Sequence, residues 1–113
     1  MTEHLIIGPA ERYMLCPNCG AAELHHFETT VYERAVEDQA GMAFTISGPS
    51  HFTKEPVHAN KIPGRRNSVK IFFWCEQCDR ISTLFLLQHK GTSFLSFSAT
   101  GKSKVPIKER SIL

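Results

Sequence analysis

The four cysteines of the chain fall into two pairs, Cys16 with Cys19 and Cys75 with Cys78, and two residues separate the thiols of each pair. This spacing lets both sulfurs of a pair point the same way. Thiolates are ligands that zinc prefers in structural sites, where four of them surround the ion tetrahedrally at about 2.3 Å. Because the two pairs use all the cysteines of the chain, the sequence predicts one four-cysteine site holding one zinc ion per chain.

The residues beside each pair suit tight turns. Pro17 fixes φ at the second position of the first turn, and Gly20 tolerates the conformation needed just after Cys19. Asp79 takes the place of that glycine after Cys78, and aspartate adopts left-handed geometry less freely than glycine. In such turns backbone N–H groups donate to the sulfurs and offset their negative charge.

The cysteines could also form disulfides or a redox-active dithiol. Disulfides need an oxidising compartment, and the opening residues "MTEHLIIGPAER" lack the basic start of a secretory signal. A redox dithiol needs a Cys-x-x-Cys that opens a helix beside a βαβ pattern. Neither pair is followed by such a pattern, so metal binding is the favoured interpretation.

The segments "CPNCG" and "WCEQC" resemble the two cysteine turns of a zinc ribbon. The resemblance implies a small β-sheet with each turn at the end of a hairpin, and it implies Cys16, Cys19, Cys75 and Cys78 as ligands. Taken together, "CPNCG", "FWCEQC" and "QHKGTSFLSF" are also similar to a group of short bacterial proteins of unassigned function. Rubredoxins use two such turns to bind iron for electron transfer, but they are typically acidic and their pairs lie closer together. Here fifty-five residues separate Cys19 from Cys75.

Alternating apolar and polar residues predict strands on both sides of the second pair. Residues 23–36 also fit a helical stripe, but the β-branched and aromatic run from Thr29 to Tyr32 favours a strand, followed by a turn and a second strand at 42–47. "SVKIFFW" has the pattern of a strand covered on both faces, and "ISTLFLLQ" and "TSFLSFS" predict a hairpin that turns at Gly91. We therefore expect a mainly β fold, a small antiparallel sheet of two hairpins with a four-cysteine zinc-ribbon-like site.

A long segment rich in glycine, proline and polar residues, 48–67, is predicted to be a loop, since its three prolines oppose a central strand. The chain has seven acidic and two basic residues up to Ser50, and four acidic and eleven basic residues from His51 onward. Basic residues gather around the end of this loop, and Arg forks with free N–H groups suit phosphate. The candidate nucleic-acid contacts are Lys61, Arg65, Arg66 and Lys70; the alternative is a solvated loop.

Two groups of side chains, the neighbouring histidines and an aromatic run, could bind ligands but also fit a purely structural role. His25 and His26 could bind metal, but four cysteines already complete a tetrahedral shell, so strand positions are favoured. Phe72, Phe73 and Trp74 could stack on bases, although packing beside the metal site is commoner for such residues.

The length of 113 residues predicts a single domain over residues 1–98 and a polar, basic tail over 99–113. No catalytic motif is present, and four sulfur ligands leave a metal no open position, so we expect a binding protein and no enzyme or small-molecule substrate. The apolar runs are shorter than a membrane span, and we expect a soluble, cytoplasmic protein. Its partner is expected to be nucleic acid, another protein or a second copy in a homodimer.

Overall fold

The computed structural model describes residues 13–89 and 91–103, with side chains described as far as Thr100. These residues form six strands, and the described part of the chain contains no α-helix. The strands are β1 Leu24–Glu33, β2 Gly41–Ile46, β3 Phe52–Val57, β4 Ser68–Cys75, β5 Arg80–His89 and β6 Thr92–Ser103. A short 3-10 helix at Ala59–Lys61 follows β3. The prediction of a mainly β fold is confirmed.

All six strands belong to one antiparallel sheet in the order β3-β2-β1-β4-β5-β6. The sheet consists of two meanders, β1 to β3 and β4 to β6, and each strand within a meander pairs with the next. The meanders join where β1 pairs with β4, from Leu24 opposite Cys75 to Tyr32 opposite Ser68, with an irregularity between His26 and Glu28. The two predicted hairpins are present, each as part of a larger sheet.

The predicted loop over residues 48–67 requires a correction, because it contains β3 and the short helix. Within residues 13–89 and 91–103, β3 pairs only with β2 and forms one edge of the sheet. Pro56 therefore lies where a missing N–H is tolerated, and the adjacent charges of Lys54 and Glu55 are typical of an exposed edge strand. The prolines oppose a central strand, as expected, but they permit an edge strand.

The second hairpin joins β5 to β6 through Gly91, whose φ of 79° confirms the predicted left-handed position. β6 continues to Ser103 and so includes the first residues of the segment predicted to be a tail. Residues 104–113 of that predicted tail lie outside the described residues. The extension of β6 follows from the length of β5, which pairs with it from His89 opposite Thr92 to Arg80 opposite Ser103.

The two faces of the sheet differ, as the strand register shows. One face, here called the loop-covered face, carries Tyr32, Ala43, Lys70, Phe85 and Leu87 on neighbouring strands. Ile62, from the segment after the short helix, packs on Tyr32 and Ala43, and these three buried residues with half-buried Val57 form the hydrophobic cluster. The other face, here called the apolar face, carries Phe44, Val31, Val69 and Leu86 on neighbouring strands.

The segment over the loop-covered face is held by Arg34, which lies just after β1 and is 7% exposed. Its guanidinium donates hydrogen bonds to the main-chain oxygens of Gly64 at 2.6 Å, Gln39 at 3.0 Å and Arg66 at 3.2 Å. Its own N–H donates to Asn67 Oδ1 at 3.2 Å. Because a planar fork can serve several carbonyls at once, one buried arginine satisfies polar groups from two connections.

Replacing Arg34 with methionine is expected to lower the free energy of unfolding by about 3 kcal/mol, because it removes the one buried donor group that several main-chain oxygens of two connections share. Urea unfolding monitored by circular dichroism measures the change. Arg66→Met is the matched control, since Arg66 is exposed and its guanidinium donates to Ala35 O at 2.9 Å. We expect less than about 1 kcal/mol for the control. Equal losses in the two variants would show that Arg34 does not hold this segment.

Candidate metal centre

The two cysteine turns meet because of the pairing between β1 and β4. The turn at Cys16–Cys19 precedes β1, and the turn at Cys75–Cys78 connects β4 to β5. The strands run antiparallel, so the start of β1 lies beside the end of β4. Leu24 is opposite Cys75 in the register, and Glu76 N–H donates to Glu23 O at 3.0 Å. This one strand pair therefore brings together two cysteine pairs that lie far apart in the sequence.

The four sulfur atoms form a compact cluster. Cys16 Sγ lies 3.6 Å from Cys78 Sγ, and Cys19 Sγ lies 3.6 Å from Cys75 Sγ. All four sulfurs are within 4.8 Å of one another. These separations are far longer than the 2.05 Å of a disulfide bond, and the four thiols are free. The cluster could therefore hold a metal ion, with one ligand pair from each turn.

The two turns have the same backbone design. Gly20 N–H donates to Cys16 O at 2.8 Å, and Asp79 N–H donates to Cys75 O at 2.9 Å. Gly20 has a φ of 83° and Asp79 a φ of 64°, so both residues are left-handed. The expectation that Asp79 takes the place of glycine is confirmed. Asn18 N–H also donates to Cys16 Sγ at 3.3 Å, as expected for a turn that stabilises a thiolate.

The side chain of Asp79 explains why glycine is not needed at its position. Trp74 Nε1 donates to Asp79 Oδ1 at 2.7 Å, so the carboxylate bridges from the second turn back to β4. A hydrogen bond to a charged group compensates for the cost of the left-handed conformation, which is about 1 kcal/mol or more for a residue with a Cβ. This pair was not predicted from the sequence, although an aspartate in a glycine position five residues after a tryptophan was a signal for it.

Burial and local donors change the acidity of the cysteines. Burial alone would raise the pKa of Cys16, but N–H groups of Asn18 and Cys19 and the thiols of Cys78 and Cys75 lower it to about 6. Burial raises the pKa of Cys78 to about 12, helped by its interaction with the Cys16 sulfur. Burial likewise raises the pKa of Cys75. A cation that binds all four sulfurs must displace protons from Cys75 and Cys78, so its affinity falls as pH falls.

The two neighbouring histidines lie outside the cysteine cluster. His25 Nε2 forms a hydrogen bond with Glu76 Oε2, and its ring centre is 5.4 Å from that of Trp74. His26 contacts the ring of Phe73 edge-on, with centres 6.3 Å apart. Both histidines are therefore strand residues with neighbours of their own, and the half-buried Phe73 packs against Phe97 at 5.6 Å. These contacts agree with the packing interpretation of the histidines and aromatic residues.

The four basic residues considered for nucleic-acid binding separate into two groups. Arg65 Nη2 lies 3.5 Å from carboxylate oxygens of both Glu37 and Asp38, in the β1–β2 connection. Arg66 donates to the same connection, at Ala35 O. Lys61 and Lys70 instead line a shallow cavity of about 430 Å³ on the loop-covered face, together with Tyr32, His58, Glu28 and Glu55. Lys70 Nζ lies 4.8 Å from the centre of the Phe72 ring.

Comparison of the chain with protein-family models, curated proteins and solved structures gave no match. The class is therefore defined by the structure: a mainly β protein with one six-stranded antiparallel sheet and a four-cysteine cluster that could hold a metal ion, consistent with a zinc-ribbon-like form. The similarity to short bacterial proteins stays a prediction. Residues 13–89 and 91–103 include no helix with the length and hydrophobicity of a membrane span.

Asp79 offers a test of the turn design. Asp79→Ala loses the hydrogen bond from Trp74 and keeps an unfavourable φ, so we expect it to lower the free energy of unfolding by about 2 kcal/mol. Asp79→Gly loses the same bond, but glycine adopts the left-handed φ without strain. We therefore expect its loss in the free energy of unfolding to be about 1 kcal/mol smaller than that of Asp79→Ala. Asp79→Asn, which keeps an oxygen acceptor and tolerates this φ, is the conservative control. Trp74 is the single tryptophan of the chain, so its fluorescence can follow unfolding. Equal losses for the alanine and glycine variants would contradict the role of φ.

Proposed function

We propose that this protein is a non-enzymatic binding module whose sheet is stabilised by one zinc ion on Cys16, Cys19, Cys75 and Cys78. The observation that carries the proposal is the spacing of the sulfurs. Four sulfurs at about 2.3 Å from a central ion stand about 3.8 Å apart at the corners of a tetrahedron. Two of the sulfur pairs here are 3.6 Å apart, and none exceeds 4.8 Å.

The donor set supports zinc in a structural role. Four thiolates in tetrahedral geometry suit zinc or iron, and a complete sulfur shell leaves no position for water or substrate. The chain has a net charge of +2, which differs from the acidic composition typical of rubredoxins. Zinc therefore fits the proposal better than iron, which remains the alternative with electron transfer as its function.

The position of the cluster explains what an ion would stabilise. The hydrophobic cluster of buried residues consists of Tyr32, Ala43 and Ile62, and these lie away from the cysteine turns in the register. Cys75 is fully buried and Cys16 is 3% exposed, so sulfur atoms fill the interior at the other end of β1 and β4. An ion on the four sulfurs would join the segment before β1 to the β4–β5 turn. Metal binding is then coupled to folding.

We expect purified protein to contain one zinc ion per chain, to lack visible colour, and to lose at least about 10 °C of its melting temperature on chelation. Elemental analysis, absorption spectroscopy and thermal melting measure these properties. Cys75→Ser and Cys19→Ser should both lose zinc, although Cys75 is buried and Cys19 exposed. Loss in both distinguishes metal binding from simple core packing, which Cys19→Ser would barely affect.

Gln77→Ala is the matched control, because this exposed residue lies between the two cysteines of the second turn and supplies only its main chain. It should keep its zinc and its melting temperature. Restoring zinc after chelation should restore the melting temperature as well. A red, iron-loaded protein would replace zinc with iron in the proposal. Protein with equal melting temperatures with and without metal would refute the structural role.

Nucleic-acid binding stays a prediction, and the contacts of the basic residues indicate how to test it. Arg65 is engaged by two carboxylates, whereas Arg66 is exposed and makes a hydrogen bond to a main-chain oxygen. If the loop binds phosphates, affinity for single-stranded or duplex DNA or RNA falls steeply with salt, and Arg66→Ala weakens it without changing stability. Fluorescence anisotropy between 50 and 200 mM salt, roughly the range over which such contacts weaken, measures this. Absent or salt-insensitive binding would exclude the hypothesis.

A further inference from the structure

The apolar face of the sheet is defined by two rows of side chains that cross neighbouring strands. The register places Phe44, Val31, Val69, Leu86 and Leu95 in one row. The adjacent row contains Ile46, Ile71, Leu84 and Phe97, with Thr29 on β1. Phe73 extends the face toward the cysteine turns. Alternate residues of a strand share a face, so these side chains project together from the side opposite Tyr32 and Ile62.

This face is open among the described residues. Ile46 is 52% exposed, Phe52 beside it on β3 is 62% exposed, and Leu86 is 40% exposed. All residues of β4 from Val69 to Trp74 are half-buried, so this strand is only partly covered on either face, although its sequence predicts a strand covered on both sides. The loop-covered face receives Ile62 and the segment held by Arg34, whereas at one corner of the apolar face Gly48 and Pro49 line a cavity with Ile46 and Thr29. A sheet with such a face needs a layer packed against it.

The charged strand residues of this face lie at its margins. By register they are Glu33 at the end of β1, Lys54 on edge strand β3 and Arg80 at the start of β5. An interface between identical surfaces must avoid placing like charges opposite each other, and an uncharged centre with a sparse rim of both signs meets this condition. A second sheet with the same right-handed twist also stacks on the first along most of its length.

We propose that two copies of this chain pack their apolar faces together and form a two-layer β-sandwich across a two-fold axis. The size of the face can be compared with that of a standard dimer interface. Five strands at about 4.8 Å and two side-chain rows at about 6.8 Å give an apolar centre of about 330 Å². The polar and charged rim around this centre would supply the rest of the roughly 800 Å² that each partner contributes to a standard interface. The interlayer distance would be about 10 Å.

The face also offers a depression for a side chain of the second copy. A cavity of about 220 Å³ opens where β1 ends beside β4 and β5. Its apolar walls are Val31, Val69 and Leu86, and its polar walls are Glu33, Asn67, Ser68, Gln88 and Ser93. Close packing of two sheets requires side chains of one to enter gaps in the other. The depression next to the projecting Leu86 supplies such a gap at the rim of the proposed interface, beside Glu33.

The test compares Leu86→Lys with Phe94→Lys in the full-length, metal-loaded chain. Leu86 belongs to the apolar face, whereas Phe94 is opposite Leu87 and belongs to the loop-covered face, and both are large exposed residues on adjacent strands. Sedimentation equilibrium measures the dissociation constant of the dimer. We expect a wild-type dimer at micromolar concentration, a dissociation constant raised at least about 100-fold by Leu86→Lys, and a change of less than about threefold in Phe94→Lys. Circular dichroism checks that each variant folds, and Ile46→Lys replaces Leu86→Lys if the latter does not.

Three results would overturn the inference: a wild-type chain that is monomeric at about 100 micromolar, a dimer that survives both Leu86→Lys and Ile46→Lys, or a dimer that only Phe94→Lys dissociates. The second result would indicate pairing through a sheet edge. The inference goes beyond the zinc proposal and can fail separately from it. A monomer with one zinc ion per chain overturns only the dimer, and a dimer without metal overturns only the zinc site.

Discussion

The pairing of β1 with β4 is the interaction on which the rest of the structure depends. It joins two meanders that otherwise share few contacts, and it places the turn before β1 against the turn after β4. Without it the two cysteine pairs would belong to separate halves of the chain. An ion on the four sulfurs would in turn hold the two strands in register, so strand pairing and metal binding would stabilise each other. By this coupling the proposed metal would take the place of part of the core in a small sheet with few buried side chains.

The two faces of the sheet differ in how their hydrophobic side chains are removed from water. The loop-covered face is closed by the chain itself, through Ile62 and the hydrogen bonds of Arg34 to main-chain oxygens. The apolar face carries two rows of hydrophobic side chains, and its charged residues Glu33, Lys54 and Arg80 lie at its margins. A second copy would supply its missing layer and turn one sheet into a sandwich. The proposed metal site and the proposed dimer therefore serve stability in different places, one at the end of the sheet and the other across it.

Ion pairs within the folded chain reduce the effect of the uneven charge distribution along the sequence. The acidic first half and the basic second half meet where Arg65 approaches Glu37 and Asp38. The positive charge that the sequence concentrates in its second half is thus partly neutralised by carboxylates that lie far away in the sequence. Pairs this exposed contribute little stability, but they reduce the local positive potential that a phosphate group would encounter.

The sequence by itself determined the features that depend on neighbouring residues. Cysteine spacing indicated both turns, the left-handed position of Asp79 followed from its alignment with Gly20, and alternation located five of the six strands. The tertiary structure alone decided which strands pair, because an alternating strand pattern is equally compatible with many partners. It also decided that residues around Pro56 form an edge strand, since proline tolerance depends on whether a neighbour needs the missing N–H. Arg34 and its carbonyl partners come from distant segments, and no local pattern predicts which oxygens a folded chain will bring to one guanidinium.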